Sequence, residues 1–568
     1  MAEGEQLSEE EQKANAELRE QYLLFLSKLG GKKVDIHLFQ HTKVRGKFVA
    51  VQSDQSHYLV DSLETPTGTM EHSALRMRDT MAQFSDVLKE FGWLADIYSL
   101  DFFVENHWAK LPCSWQMYFE KCIQLCNSDE PGRSEVDLLE SIISHPHSYR
   151  GFKAAGPAPL SFLEYRGCIS DLSMPYTCVK NRRELADTLG VKENNKCDDF
   201  TDISKYPKKL LTKIKPKKMH EISRLHDLID ILVTLKTKEC GEEALELIDI
   251  GAGVGHLSRI VSHSLNIPAT TIEGNSELVE RAHKIDGTFS RVRRDEKKWT
   301  APQRRTMYVN EYEEIKSVKE GTEKVVLGLH ACGDLSSAII RHFVSDENAR
   351  ILIVCGCCYH KINNGHDKPF MQKYGTSNYD HTKLPGYPMS KKFAENKLTY
   401  ASRELACYGK RTFLEKLRDP AGLKLLRTNC YRAILEWVIL YNSATKAPEL
   451  DEHVYYLRHH GLRGIKDTDM GFWSYAREAL VGKPEILEDV VQKENFPEVT
   501  SFIDNALRNN NMKFLIMYAL RLIIAPLVET IILNDRLEFL KENGLYSIIL
   551  PLFDPEFSPR NHVLISYK

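Results

Sequence analysis

Residues 245–263 read Leu245-Glu-Leu-Ile-Asp-Ile-Gly-Ala-Gly-Val-Gly-His-Leu-Ser-Arg-Ile-Val-Ser-His263, and the pattern changes twice within them. Leu245–Ile250 is a short apolar run of strand length. Gly251-Ala-Gly-Val-Gly255 cannot continue a strand, because glycine weakens it and adopts left-handed backbone readily. From His256 the apolar residues Leu257, Ile260 and Val261 recur at helical spacing. A strand that bends through glycines into a helix lets a ligand approach the backbone closely. It also offers that ligand the free N–H groups of a helix N-terminus.

The spacing of the loop selects the ligand. A dinucleotide loop runs G-x-G-x-x-G/A, with a small third residue for close helix–strand packing. Here the spacing is D-x-G-x-G-x-G, and the bulky His256 stands at that third position. S-adenosyl-L-methionine carries no phosphate, and Asp249 before the first glycine suits its ammonium group. Glu273 lies 18 residues after Gly255, at the end of the next apolar run. A carboxylate there can accept hydrogen bonds from both ribose hydroxyls. The expected cofactor residues of the loop are therefore Asp249, Gly251, Gly253, Gly255 and Glu273.

Outward from the loop, strand-like and helix-like stretches alternate between residues 219 and 445. The strand candidates are Leu245–Ile250, Ala269–Ile272, Lys324–Leu329, Ala349–Cys355 and Ala433–Leu440. Such alternation predicts an open, mainly parallel sheet covered by helices. Residues 450–568 read as mostly helical. Their most apolar stretch, Phe514–Leu533, is interrupted by Arg521, Pro526 and Glu529, so a buried core helix is expected rather than a membrane span. Between 83 and 200, Trp93, Tyr98, Phe102, Phe103, Trp108, Trp115 and Phe119 suit buried helix faces.

Toward the N-terminus, residues 11–29 have helical periodicity and end at Gly30-Gly31. The period then becomes two, with strand-like runs over Val34–Leu38, Val44–Val60 and Ala74–Met77, which predicts a small barrel. The opening Met1-Ala-Glu-Gly-Glu-Gln has no apolar core, so a secretory signal is not expected. The 13 cysteines are odd in number and lack disulfide-scaffold spacing, which predicts the reducing cytoplasm or nucleus. A net charge of −3 over 568 residues gives no global argument for nucleic acid. Lys205–Lys218 is the local exception: seven lysines without an acid, able to hold a phosphate backbone, or else a solvated face.

Two resemblances refine these expectations. Residues 12–82 resemble the Sm-like gem-associated protein 7 of the survival-of-motor-neuron complex. The resemblance is carried by Ala16-Glu-Leu-Arg-Glu-Gln-Tyr-Leu23, Val44-Arg-Gly46, Ser53-Asp-Gln55, Leu63-Glu-Thr-Pro-Thr-Gly68 and Ala74-Leu-Arg76. It implies an interaction module that pairs with another Sm-like subunit by strand addition. Residues from about 85 to the end resemble the methyltransferase-like protein 25 family, which includes the ribosomal RNA adenine dimethylase domain-containing protein. The shared motifs are Lys217-Lys-Met-His-Glu221, the glycine loop, His330-Ala-Cys-Gly-Asp-Leu335, Cys357-Cys-Tyr-His-Lys361, Tyr387-Pro-Met-Ser390 and Ser558-Pro-Arg-Asn561. The first and fourth also look like those of a distant tRNA 2′-O-methyltransferase group, which keeps RNA as a substrate class.

The resemblances imply a multidomain chain: a small Sm-like β-barrel plus a class I (Rossmann-like α/β) methyltransferase with helical flanking regions. The expected division is 1–82 for the Sm-like interaction domain and 83–200 for a helical subdomain. Residues 201–445 form the methyltransferase domain, and 446–568 a C-terminal helical region. His220 and Glu221 are expected at the methionine end of the cofactor. Residues just after strand ends face the transferring methyl, so His330, Cys357, Tyr359 and His360 are the catalytic candidates, with His330 or His360 as base. Where adenine-amine methyltransferases present Asn/Asp-Pro-Pro-aromatic, this chain has Cys357-Cys-Tyr-His, so chemistry on that amine is not expected. No metal is expected: the cysteines lack paired C-x₂-C spacing, and adjacent Cys357 and Cys358 would point to opposite faces of an extended chain. The rival expectations are a catalytically inactive methyltransferase fold acting as a scaffold in RNP assembly, and an NAD-binding dehydrogenase.

Overall fold

The structure is a computed structural model. It describes residues 32–37, 43–51, 58–65, 68–70, 80–126, 134–144, 158–191, 198–240, 245–292, 299–309, 321–365, 384–441 and 470–568. The N-terminal strands are β1 (Lys33–His37), β2 (Lys43–Val51), β3 (Tyr58–Thr65) and β4 (Gly68–Met70). They pair antiparallel in the order β1-β2-β3-β4. The β2–β3 register slips at Arg45/Lys47 and Phe48/Ala50, the kind of irregularity that bends a strand. The helix expected over 11–29 and the strand expected over 74–77 lie outside the described residues.

The second sheet has seven strands. They are β5 (Leu245–Ile250), β6 (Ala269–Glu273), β7 (Gln303–Thr306), β8 (Glu323–Cys332), β9 (Ala349–Cys357), β10 (Tyr546–Pro551) and β11 (His562–Tyr567), in the order β10-β11-β9-β8-β5-β6-β7. β5 to β9 run parallel, and β11 is antiparallel to both of its neighbours. Every residue of β5 is buried. Helices on both faces favour continuous apolar runs of this kind. The chain leaves β5 toward β6 on one side and returns with β8 on the other. That switch point opens a crevice at the carboxyl ends of β5 and β8.

Two expectations are corrected here. Ala433–Leu440 is not a strand but the end of the helix Pro420–Leu440. Ala433, Ile434, Leu435, Val438 and Ile439 are all buried, and periodicity cannot separate a helix end surrounded by core from a buried strand. Nor is the C-terminal region only helical, because β10 and β11 complete the sheet begun at β5. The polar edge strand β7, Gln303-Arg-Arg-Thr306, carries no apolar signal and was invisible to pattern.

Between β9 and β10 the chain leaves the sheet and joins residues 84–169 in a separate helical core. Phe84, Leu94, Trp115, Phe119, Phe162 and Tyr165 pack there with Ile434, Val438, Leu515 and Ile524. Of the expected aromatic faces, Phe102, Trp108, Trp115 and Phe119 are buried, whereas Trp93, Tyr98 and Phe103 are half-buried. The helix Asn511–Glu542 runs through this core, and 89% of its most apolar window is buried. Its buried Arg521 donates to the Leu94 carbonyl at 3.2 Å and the Ser99 hydroxyl at 2.7 Å. The polar interruption in the sequence is thus an internal tie.

Candidate functional site

The glycine loop sits at the switch point. Gly251, Gly253 and Gly255 have φ of +72°, +58° and +66°, the left-handed region that glycine enters without strain. Gly251 and Ala252 donate to the Ile272 carbonyl at 2.8 and 3.2 Å, which ties the loop to the end of β6. Glu273 closes the bend. Its Oε2 accepts from the Gly253 N–H at 2.8 Å, and its Oε1 accepts from the Asn275 N–H at 3.0 Å. A Cβ on Gly253 would meet nothing within 4 Å, so that position faces open space. A Cβ on Gly255 would lie 1.8 Å from Arg304 Nη1.

Arg304 belongs to a buried network that the sequence did not reveal. Asp286, on the helix Ser276–Val292, accepts from Arg259 Nε at 2.5 Å, from Arg304 Nε at 2.9 Å and from Arg304 Nη2 at 3.1 Å. Arg259 also donates to the Val254 carbonyl inside the loop at 3.1 Å. The loop is therefore held from behind by paired charges.

Asp249, expected to face the cofactor, is engaged within the chain. Its carboxylate is buried and accepts from the Ser258 hydroxyl, pinning β5 to the helix His256–Ser264. Burial pushes its carboxyl above the usual range, against the Ser258 hydrogen bond and the charges of Lys218 and Arg304. Gly253 and Glu273, hydrogen-bonded to each other, stand at the open face of the loop.

The end of β8 carries the second half of the site. The β8–β9 register slips between Leu329 and Ala331, and His330 in the slip has φ +60°. A bulge re-aims one side chain, and a left-handed non-glycine residue is a local cost that surrounding contacts must hold in place. Here the re-aimed imidazole meets Glu221, with Nε2 2.9 and 3.0 Å from the two carboxylate oxygens. Glu221 is fully buried and also accepts from the Ser558 hydroxyl at 2.8 Å. Lys217 and Lys218 stand 3.8 and 3.7 Å from it. Burial alone raises the Glu221 carboxyl, but the His330 hydrogen bond and charge, Lys218 and Ser558 bring it below its ordinary value. An ionised carboxylate only accepts, so the tautomer that suits this contact donates from Nε2 and leaves Nδ1 as the acceptor.

The remaining candidates divide. Cys357 lies at the end of β9 with its thiol donating to the His330 carbonyl at 3.3 Å. Tyr359 is buried and donates to Glu529 at 2.9 Å, a carboxylate that also pairs with Arg560 at 2.9 Å. It braces the helical core against the sheet. His360 turns its Nδ1 to the Cys407 thiol at 3.4 Å and its ring edge to Tyr400. His220 accepts from the Asp554 N–H at 2.9 Å and stacks on Phe557. Burial and the nearby Arg224 lower its pKa to about 4, so it is a neutral brace for the C-terminal segment. Of the Lys205–Lys218 run, Lys218 is half-buried beside Glu221, whereas Lys205, Lys208, Lys209, Lys213, Lys215 and Lys217 are exposed.

Two regions of the chain are similar to known proteins. Residues 217–365 match the family model of a methyltransferase domain. The match begins at the lysine before Glu221 and ends after the β9 turn, so it contains the loop, Glu221 and His330. Probable methyltransferase-like protein 25 of Mus musculus is 26% identical over 323 residues, 53% of this chain and 47% of that protein. Its Homo sapiens counterpart is 28% identical over 263 residues, 44% of this chain and 38% of that protein. The matched regions thus span about half or less of these curated relatives. At the other end, residues 10–83 match the family model of Gem-associated protein 7. The Homo sapiens protein of that name is 35% identical over 78 residues, 14% of this chain and 60% of that protein.

Proposed function

We propose that this chain is an S-adenosyl-L-methionine-dependent methyltransferase acting on RNA or protein. We propose further that its N-terminal Sm-like module attaches it to an RNP-assembly complex of the survival-of-motor-neuron type, in cytoplasm or nucleus. The observation that carries the first part is the Gly253–Glu273 hydrogen bond at the switch point, beside an open glycine face. The residues fit the cofactor: the glycines leave the backbone of the loop open to a close approach at Gly253, and Glu273 has lone pairs left for ribose hydroxyls. When bound, the cofactor supplies a methyl group on a sulfonium, and transfer is an in-line displacement. The chain's part is to hold the acceptor in line and take its proton. His330, oriented by Glu221, is the group placed for that proton.

The Sm-like assignment rests on the likeness to Gem-associated protein 7 and on the antiparallel β1–β4 sheet, whose edge strands suit pairing with another Sm-like subunit. The exposed lysines of 205–217 supply a positive surface for RNA, and Lys217 stands 3.8 Å from Glu221.

The test is transfer of labelled methyl from S-adenosyl-L-methionine to separated RNA and protein fractions. One fraction is expected to take label with the intact chain. Gly253→Arg, which sends a long side chain into the open face, is expected to reduce incorporation to background while the circular dichroism spectrum is retained. Cofactor binding with no label in any fraction would instead support an inactive scaffold, and equal labelling by Gly253→Arg would remove the reading.

A further inference from the structure

Three thiols converge where β8 and β9 end. Cys332 and Cys357 are register partners on these strands. Their Sγ atoms are 3.1 Å apart, with Cys332 to Cys358 at 3.4 Å and Cys357 to Cys358 at 3.7 Å. The sequence argument against a shared site was that adjacent residues of an extended chain point to opposite faces. Cys358 is not extended: its φ is +50°, and that turn brings its thiol round to the same side. Gly333 makes room, because a Cβ there would lie 2.6 Å from Lys361 Cβ, and its N–H donates to the Cys357 carbonyl at 3.1 Å. His330, Gly333 and Cys358 all have left-handed φ within this one turn region. Unusual backbone concentrated in this way marks a site whose surroundings enforce it.

The geometry points to a zinc site formed by Cys332, Cys357 and Cys358, with its fourth coordination position open beside His330. The chemistry of the donors argues for zinc. A tetrahedral ion with Zn–S near 2.3 Å has sulfur–sulfur edges of about 3.8 Å, matched by one separation here and requiring the 3.1 and 3.4 Å pairs to open, and thiolates select soft or borderline ions. The Cys332 thiol is at the surface and its two partners are half-buried, so an ion has an entry path. Among the described residues no fourth protein ligand is in place, since the His330 imidazole is held by Glu221 and that of His360 faces Cys407. Three protein ligands and an open position are the pattern of a zinc ion that receives water or a substrate atom.

This site stands apart from the cofactor reading, and its test does not depend on it. The full-length chain, purified under reducing conditions in the presence of zinc and desalted, is analysed for metal by atomic emission. About one zinc per chain is expected. Cys332→Ser and Cys357→Ser are each expected to lose at least about tenfold of it. Cys113→Ser, on a helix of the other core, is expected to retain it. Cobalt(II) added to the metal-free chain is expected to give a sulfur-to-cobalt charge-transfer band that zinc abolishes. Because a serine variant can lose metal by misfolding, alkylation of the wild-type chain is the second readout. Cys332 is expected to be protected with zinc and modified after chelation. A metal-free chain whose cobalt spectrum lacks the band, equal alkylation with and without zinc, or a disulfide among these thiols under reducing conditions would overturn the assignment.

Discussion

Asp286→Asn is expected to destabilise the sheet domain by about 3–5 kcal/mol, the cost of leaving a buried charge without its partner. The side chains of Arg259 and Arg304 are 0% and 1% exposed, and both rest on this one carboxylate, itself 7% exposed. Asparagine keeps the shape and one acceptor oxygen but removes the charge. One guanidinium is then desolvated without compensation. The effect should reach the loop, since Arg259 holds the Val254 carbonyl and Arg304 fills the space beside Gly255. Denaturant unfolding followed by circular dichroism measures it. Glu140→Gln, which breaks a surface pair with an Arg418 side chain 68% exposed, is the comparison and should cost no more than about 1 kcal/mol. A loss below about 1 kcal/mol for Asp286→Asn would show that the buried network does not hold the loop.

Glu221→Gln is expected to slow methyl transfer by roughly 10²–10⁴-fold, the range seen when a catalytic histidine loses the carboxylate that fixes its tautomer. A glutamine can present an N–H to Nε2, which favours the tautomer that hides the basic nitrogen. KM for the cofactor should stay nearly constant, because Glu221 touches His330 and Ser558 rather than the glycine loop. A lower rate with an unchanged cofactor KM, at a retained circular dichroism spectrum, distinguishes this from a loss of the fold. An unchanged rate would remove His330 from the chemistry.

The strand–loop–helix unit was legible because its signals are local. Glycines at 251, 253 and 255 mark positive φ, and Glu273 follows at the distance that one helix and one strand require. Glu221 and His330 were found through motifs, but their partnership was not, since 109 residues separate them and only the bulge in β8 turns one to the other. Ser558 stood inside a quoted motif with no sign of its target. Asp286 and Arg304 gave no signal at all, because a charge on a helix and a charge on a polar edge strand look like surface residues until the fold buries them together. Pattern failed outright where environment decides. The end of the helix at Leu440 is largely apolar and buried, and β10 and β11 join a sheet whose other strands end near residue 357. The thiol cluster was missed for a reason of geometry, as one left-handed residue at Cys358 cancels the alternation that an extended chain would impose.

Calorimetric titration of the full-length chain is the direct measure of the glycine-loop assignment. S-adenosyl-L-methionine is expected to bind at a single site with measurable heat, NAD to give none, and Glu273→Ala to weaken the former by about 10–100-fold through the loss of charged hydrogen bonds. Heat from NAD alone, or an affinity for S-adenosyl-L-methionine that Glu273→Ala leaves unchanged, would contradict it.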